Sequence, residues 1–126
     1  MDKTALVEPE IETGKAVIAS LDEAGVPAPA LLWFYVPEAE EWRLVIATPL
    51  VDSEGPKRAY GEVQKVLTKK GPQIDLRRIT VVSPSDPLVK VLRSAIKVGP
   101  GVSGVRFTHN TINNLFIEDA YIYRLQ

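Results

Sequence analysis

The chain has no cysteine, one methionine, one histidine, three asparagines and three glutamines in 126 residues. Without cysteine there are no disulfides, no thiolate nucleophile and no cysteine-held zinc, which suits a reducing cytoplasm. No apolar stretch reaches the ~18 residues of a membrane span, and the N-terminal residues lack the basic region and apolar run of a secretory signal. A cytoplasmic location with no membrane partner is therefore expected. Internal repeats, low-complexity tracts and linkers are also lacking, so the length implies one domain, residues 1–126, large enough to bury its own core. The 45% hydrophobic and 25% charged content is that of an ordinary globular protein, which sets aside disorder, collagen and coiled coil.

What the chain does have is concentrated between Leu31 and Pro49: LLWFYV, the acidic connection PEAEE, then WRLVIATP. The β-branched and aromatic content favours extended chain. In the first run both alternating sets are apolar, Leu31, Trp33 and Tyr35 against Leu32, Phe34 and Val36. A strand of that kind belongs inside a sheet covered on both faces. In the second, Trp42, Leu44 and Ile46 share one side, with Arg43, Val45 and Ala47 on the other.

Flanking patterns supply the remaining elements. A helix is predicted from near Pro9 to Gly25, with Glu8, Glu10 and Glu12 at its positive end and Ile11, Val17, Ile18, Leu21 and Ala24 as its apolar stripe; Gly14 counts against it. Leu50 to Gly55 leads to a second helix over Pro56 to Lys70, buried through Ala59, Val63, Val66 and Leu67 and stopped by Gly71-Pro72. Ile79 to Val82 reads as a short buried strand. Asp86 followed by Pro87 is a strong N-terminal signal for a third helix running to about Val98, with Leu88, Val91, Leu92, Ala95 and Ile96 inward. Val105 to Thr108 and Leu115 to Leu125 are expected to form a terminal hairpin, bent or bulged at Glu118-Asp119. The fold class is thus α/β, a single-domain mixed sheet of five strands with three helices in the order α-β-β-α-β-α-β-β. Helical crossovers are expected to make the second, third and fourth strands parallel.

The net charge of −1 hides a division. Residues 1–55 carry three basic and eleven acidic side chains, residues 56–126 twelve and five. The simplest expectation is that the halves interleave and their fields cancel. The alternatives are a basic face for an anionic partner, or head-to-tail attraction between copies.

Candidate chemistry is sparse. Gly99-Pro-Gly-Val-Ser-Gly104 has the letters of a dinucleotide-binding glycine pattern, but it follows a helix and opens a strand, the reverse of what pyrophosphate binding needs. His109 is the candidate acid-base group, although its neighbours Asn110, Thr111, Asn113 and Asn114 are also what a turn prefers. With three parallel strands, one sheet edge gathers Asp52, Ser53, Lys57, Arg58, Ser83, Ser85, Asp86, His109 and Asn110. Of these, Ser53, Lys57, Arg58, Ser85 and Asn110 are candidate anion ligands, with Lys57 or Arg58 on a phosphate. Arg58, Lys65 and Lys69 on one helix and Lys90, Arg93 and Lys97 on the next form a continuous basic surface if both pack on one face, with Arg77 and Arg78 between them. Nucleic acid is then a partner on charge alone, since no recognition motif accompanies it. No metal site or cofactor is expected, because Glu118 and Asp119 point apart in an extended chain. The terminal strand, if it lies at an edge, can pair with a copy of itself or with a protein partner. The favoured expectation is a non-catalytic interaction module, protein-binding or self-associating.

Overall fold

The computed structural model describes residues 5–96, 101 and 103–126. Helix α1 (Glu8–Glu23) leads into strands β1 (Ala30–Val36) and β2 (Glu41–Ala47). Helices α2 (Leu50–Glu54) and α3 (Pro56–Lys70) follow, then β3 (Ile79–Val82), α4 (Pro87–Ala95), β4 (Val105–Ile112) and β5 (Leu115–Leu125). The architecture is the expected α/β mixed sheet of five strands, in the order β3-β2-β1-β5-β4. Two short elements are added: α2, a single turn where a plain connection was expected, which brings the order to α-β-β-α-α-β-α-β-β, and a 3-10 turn at Leu76–Arg78 before β3.

β1 takes the centre because both of its faces must leave water. It pairs antiparallel with β2 on one side and with β5 on the other. Leu31, Trp33 and Tyr35 join Trp42, Leu44, Ile46, Ile79 and Tyr123 beneath Val17, Ile18 and Leu21 of α1 and Val63 and Leu67 of α3. Across the sheet, Ala30, Leu32, Val45, Ala47, Ile122 and Leu125 pack under Val89 and Leu92 of α4. The alternation of β1 and β2 therefore sorts their side chains into two cores, as the sequence implies.

Helix ends follow local chemistry. The Glu10 carboxylate accepts the Val7 N–H at the start of α1, and Gly25 leaves the helix at φ 76°. Asp86 accepts the Leu88 N–H at the start of α4. That helix stops at Ala95 with Ile96 extended, short of the expected Val98. Its buried residues are Val89 and Leu92, while Ala95, read as inward, is exposed.

The main correction concerns direction. β2 and β3 are parallel, as expected of a helical crossover. β4, however, pairs only with β5, antiparallel, and β5 is itself antiparallel to β1. β4 therefore runs opposite to β2 and β3, at the far edge of the sheet. The cause is local: Asn113 and Asn114, at φ 49° and 69°, make a tight turn that ties β4 to β5 as a hairpin. The apolar β5 fills the open side of β1, so it lies inside the sheet and not at an edge.

Within this hairpin, the strand continues through residues read as loop, to Ile112. The pairing register is the same on both sides of His109, yet Ile117 and Ala120, an odd number of positions apart, share the second core. Side-chain alternation thus reverses near Glu118-Asp119, where a bend was expected, and His109 opposite it sits at φ 48°. A second irregularity lies between β1 and β5: Leu31 faces Arg124 but Leu32 faces Ile122, which leaves Tyr123 as an extra residue.

Candidate functional site

The exits of β2 and β3 do meet. Ser83 donates its hydroxyl to the Asp52 carboxylate at 2.9 Å, lies 2.8 Å from the Ser85 hydroxyl and accepts the Ser85 N–H. Ser53, Lys57 and Arg58 are exposed on α2 and α3 beside this network. Its chemistry is unsuited to an anion. Asp52 and Asp86 are both acidic, the α4 amide at Leu88 is already taken by Asp86, and Arg58 pairs with Glu54 at 3.2 Å. His109 and Asn110 are absent from this edge, because β4 exits at the opposite end of the sheet. The expected edge is therefore brought together only in part: Ser53, Lys57, Arg58 and Ser85 lie on it, while Asn110 and His109, the acid-base candidate, lie towards the other end of the sheet.

His109 lies exposed on β4, and its side chain makes no hydrogen bond or ion pair among the described residues. Asn110 donates its side-chain N–H to the Thr108 carbonyl at 2.9 Å, which is strand-edge chemistry. No group of three or more metal-ligating side chains converges among the described residues.

The basic stripes do not merge either. α3 packs into the first core and α4 into the second, so Arg58, Lys65 and Lys69 face away from the sheet on one side and Lys90 and Arg93 on the other. Lys97 lies outside the described residues, as does part of the glycine-rich 99–104 segment. Several of these cations are also engaged. Lys65 pairs with Glu62 at 3.6 Å, and Arg93 donates to the carbonyls of Gln126 and Pro84. Arg77, 91% exposed in its side chain, forks onto Asp75, whose carboxyl it holds below the usual carboxylate range. Arg78 bonds Glu10 at 2.6 Å and lies 4.7 Å over the Trp33 ring, clamping the start of α1 to the sheet.

Two arginines that the sequence did not single out hold buried structure. Asp119, with 1% of its side chain exposed, receives two hydrogen bonds from Arg106 at 2.6 and 2.7 Å. Asp119 is thus the acidic residue that turns inward, while Glu118 is half-buried. Arg124 forks onto Asp22 at 2.9 and 2.7 Å and depresses that carboxyl's pKa. Both Asp22–Arg124 and Glu10–Arg78 join the acidic half of the chain to the basic half, so the halves interleave as expected.

What remains open is the β4–β5 hairpin. β4 closes the sheet at one end, with Arg106, Thr108, His109, Asn110 and Thr111 exposed. At its tip Thr111 pairs with Phe116, which is 52% exposed, and Ile112 and Leu115 are half-buried. No described helix is long and apolar enough to cross a membrane. No family model, no curated protein and no solved structure matches this chain.

Proposed function

We propose that this chain is a small non-catalytic interaction module whose working surface is the outer edge of β4, which takes an extended segment of protein, a second copy included. The observation that carries the reading is the edge itself. It is eight residues long, lies at the end of the sheet and finishes in a hairpin tip with a half-exposed Phe116. A free strand edge offers a row of backbone donors and acceptors, which is what strand addition uses. The opposite edge, β3, offers four residues. No catalytic reading has comparable support: Ser83 faces a carboxylate and another hydroxyl, and His109 stands apart from both.

The left-handed backbone at His109 splits the edge into two short extended segments. Pairing along it is therefore expected to be weak and reversible. Sedimentation velocity over a concentration series, at about 0.5 M salt to screen charge, tests the reading. The chain should rise above its monomer mass of 13.9 kDa, and a Thr111→Lys/Phe116→Asp variant, changed only at exposed positions, should remain at it. A wild type that stays monomeric up to about 1 mM, where even a weak contact of ~4 kcal/mol becomes visible, would overturn self-pairing along β4.

A further inference from the structure

We propose that the groove between α1 and α3 receives the acidic β1–β2 turn of a second copy of this chain, a head-to-tail contact separate from the β4 edge. The groove has a volume of about 300 Å³, with Ala24 and Val66 as its apolar lining and Lys65, Lys69 and Lys70 on its α3 side. Glu23 is the one carboxylate lining it, and since Lys65 pairs with Glu62, Lys69 and Lys70 give the groove an excess of positive charge. Lys69 and Lys70 have no carboxylate partner among the described residues. The stems of these lysines and the two apolar residues give the groove an amphipathic wall.

The matching surface is the turn Pro37–Glu40. It is closed by the Ala39 N–H on the Val36 carbonyl and the Glu40 N–H on the Pro37 carbonyl, both at 3.2 Å. Pro37 fixes one φ, and Glu40 sits at φ 51°. The loop is thus held in shape before any contact, which lowers the ordering cost of docking. Glu38 and Glu40 are exposed and have no ion pair among the described residues, unlike Glu41, which bonds Arg43.

The turn and the groove each place charges that have no ion pair among the described residues close together, Glu38 and Glu40 on one and Lys69 and Lys70 on the other. The turn is acidic and the groove is a concavity with basic residues along one side, so the two are complementary in sign. Because they are different patches, the contact is heterologous, and repeated copies form an open chain or a ring.

The complementary patches can be separated genetically. Glu38→Lys/Glu40→Lys removes the turn and keeps the groove; Lys69→Glu/Lys70→Glu does the reverse. In low salt the wild type should show a mass that grows with concentration and falls to monomer at about 1 M salt, where charge acts over only ~3 Å. Each variant alone should sediment as a monomer, and an equimolar mixture of the two should regain growth, because unchanged turns meet unchanged grooves and reversed turns meet reversed grooves. Putting all four changes in one chain should restore growth. The Thr111→Lys/Phe116→Asp change serves as background throughout, so a failure of the β4 reading leaves this result untouched. Wild-type mass at the monomer value in low salt, or folded variants whose mixture stays monomeric, would overturn the proposal.

Discussion

Two helices carry an interior glycine, and replacing each with alanine should have opposite effects. Gly61 in α3 has nothing within 4 Å of the position its Cβ would take. Gly61→Ala should therefore gain most of the helix-propensity difference, about 0.5–1 kcal/mol. Gly14 in α1 is buried, and a Cβ there meets the Tyr123 ring at 2.5 Å, with the hydroxyl closer still. Tyr123 has little room to retreat. It is fully buried, donates its hydroxyl to the Ile11 carbonyl at 2.7 Å and rests edge-on against Tyr121 with 5.2 Å between ring centres. Overpacking costs roughly 1–3 kcal/mol, and losing the buried hydrogen bond adds about 1–3 kcal/mol. Against the gain of about 1 kcal/mol from propensity, Gly14→Ala should destabilise by about 2–3 kcal/mol, a fall in Tm of roughly 10 °C. Urea unfolding followed by fluorescence of the buried Trp33 and Trp42 measures both variants on one scale. In a Tyr123→Leu background, whose shorter side chain frees the space, the Gly14→Ala penalty should shrink by at least about 1 kcal/mol. If Gly14→Ala is as stable as Gly61→Ala, the close packing of α1 on β5 is wrong.

Two further predictions concern the ion pairs. The Asp22 carboxyl is held below its usual range by hydrogen bonds from Arg124, so its folded pKa lies under the unfolded value of about 3.9. Its stabilisation is complete above about pH 4 and is lost as pH falls through the folded value. The stability gap between wild type and Asp22→Asn should therefore be flat from about pH 5 to 7 and close below about pH 4; a gap that widens in acid refutes the assignment. Arg106→Ala removes the arginine from a buried carboxylate and should cost about 3 kcal/mol, with Asp119→Asn costing less because it also removes the charge. Equal, small effects in chemical unfolding would mean that Asp119 does not depend on Arg106.

The legible parts of the fold were local. Two apolar parities in Leu31 to Val36 mark a strand that must be covered twice, whatever lies beside it. Asp86-Pro87 starts α4 because a carboxylate and a fixed φ act within one turn, and Gly25 ends α1 for a similar reason. The candidate sites fared differently because they depended on non-local placement. Lys65 and Lys69 on one helix and Lys90 and Arg93 on another make the same pattern whether the helices share a face or not. His109 and Asn110 fell near Ser83 and Ser85 only if β4 ran with β3. Asp119 and Glu118 are indistinguishable in the sequence, and only pairing across to Arg106 shows which carboxylate is buried.

The amino-acid order by itself determined the element types, the central strand and the two-sided core, since these follow from alternation, caps and turns acting over a few residues. The tertiary structure alone decided that β5 lies beside β1, that β4 is a reversed edge strand, that the basic helices lie on opposite faces and that Gly14 has no room for a methyl group. Each of these depends on which distant apolar surface closes against which. That choice is made by the whole chain in burying its area, and no short stretch of sequence carries it.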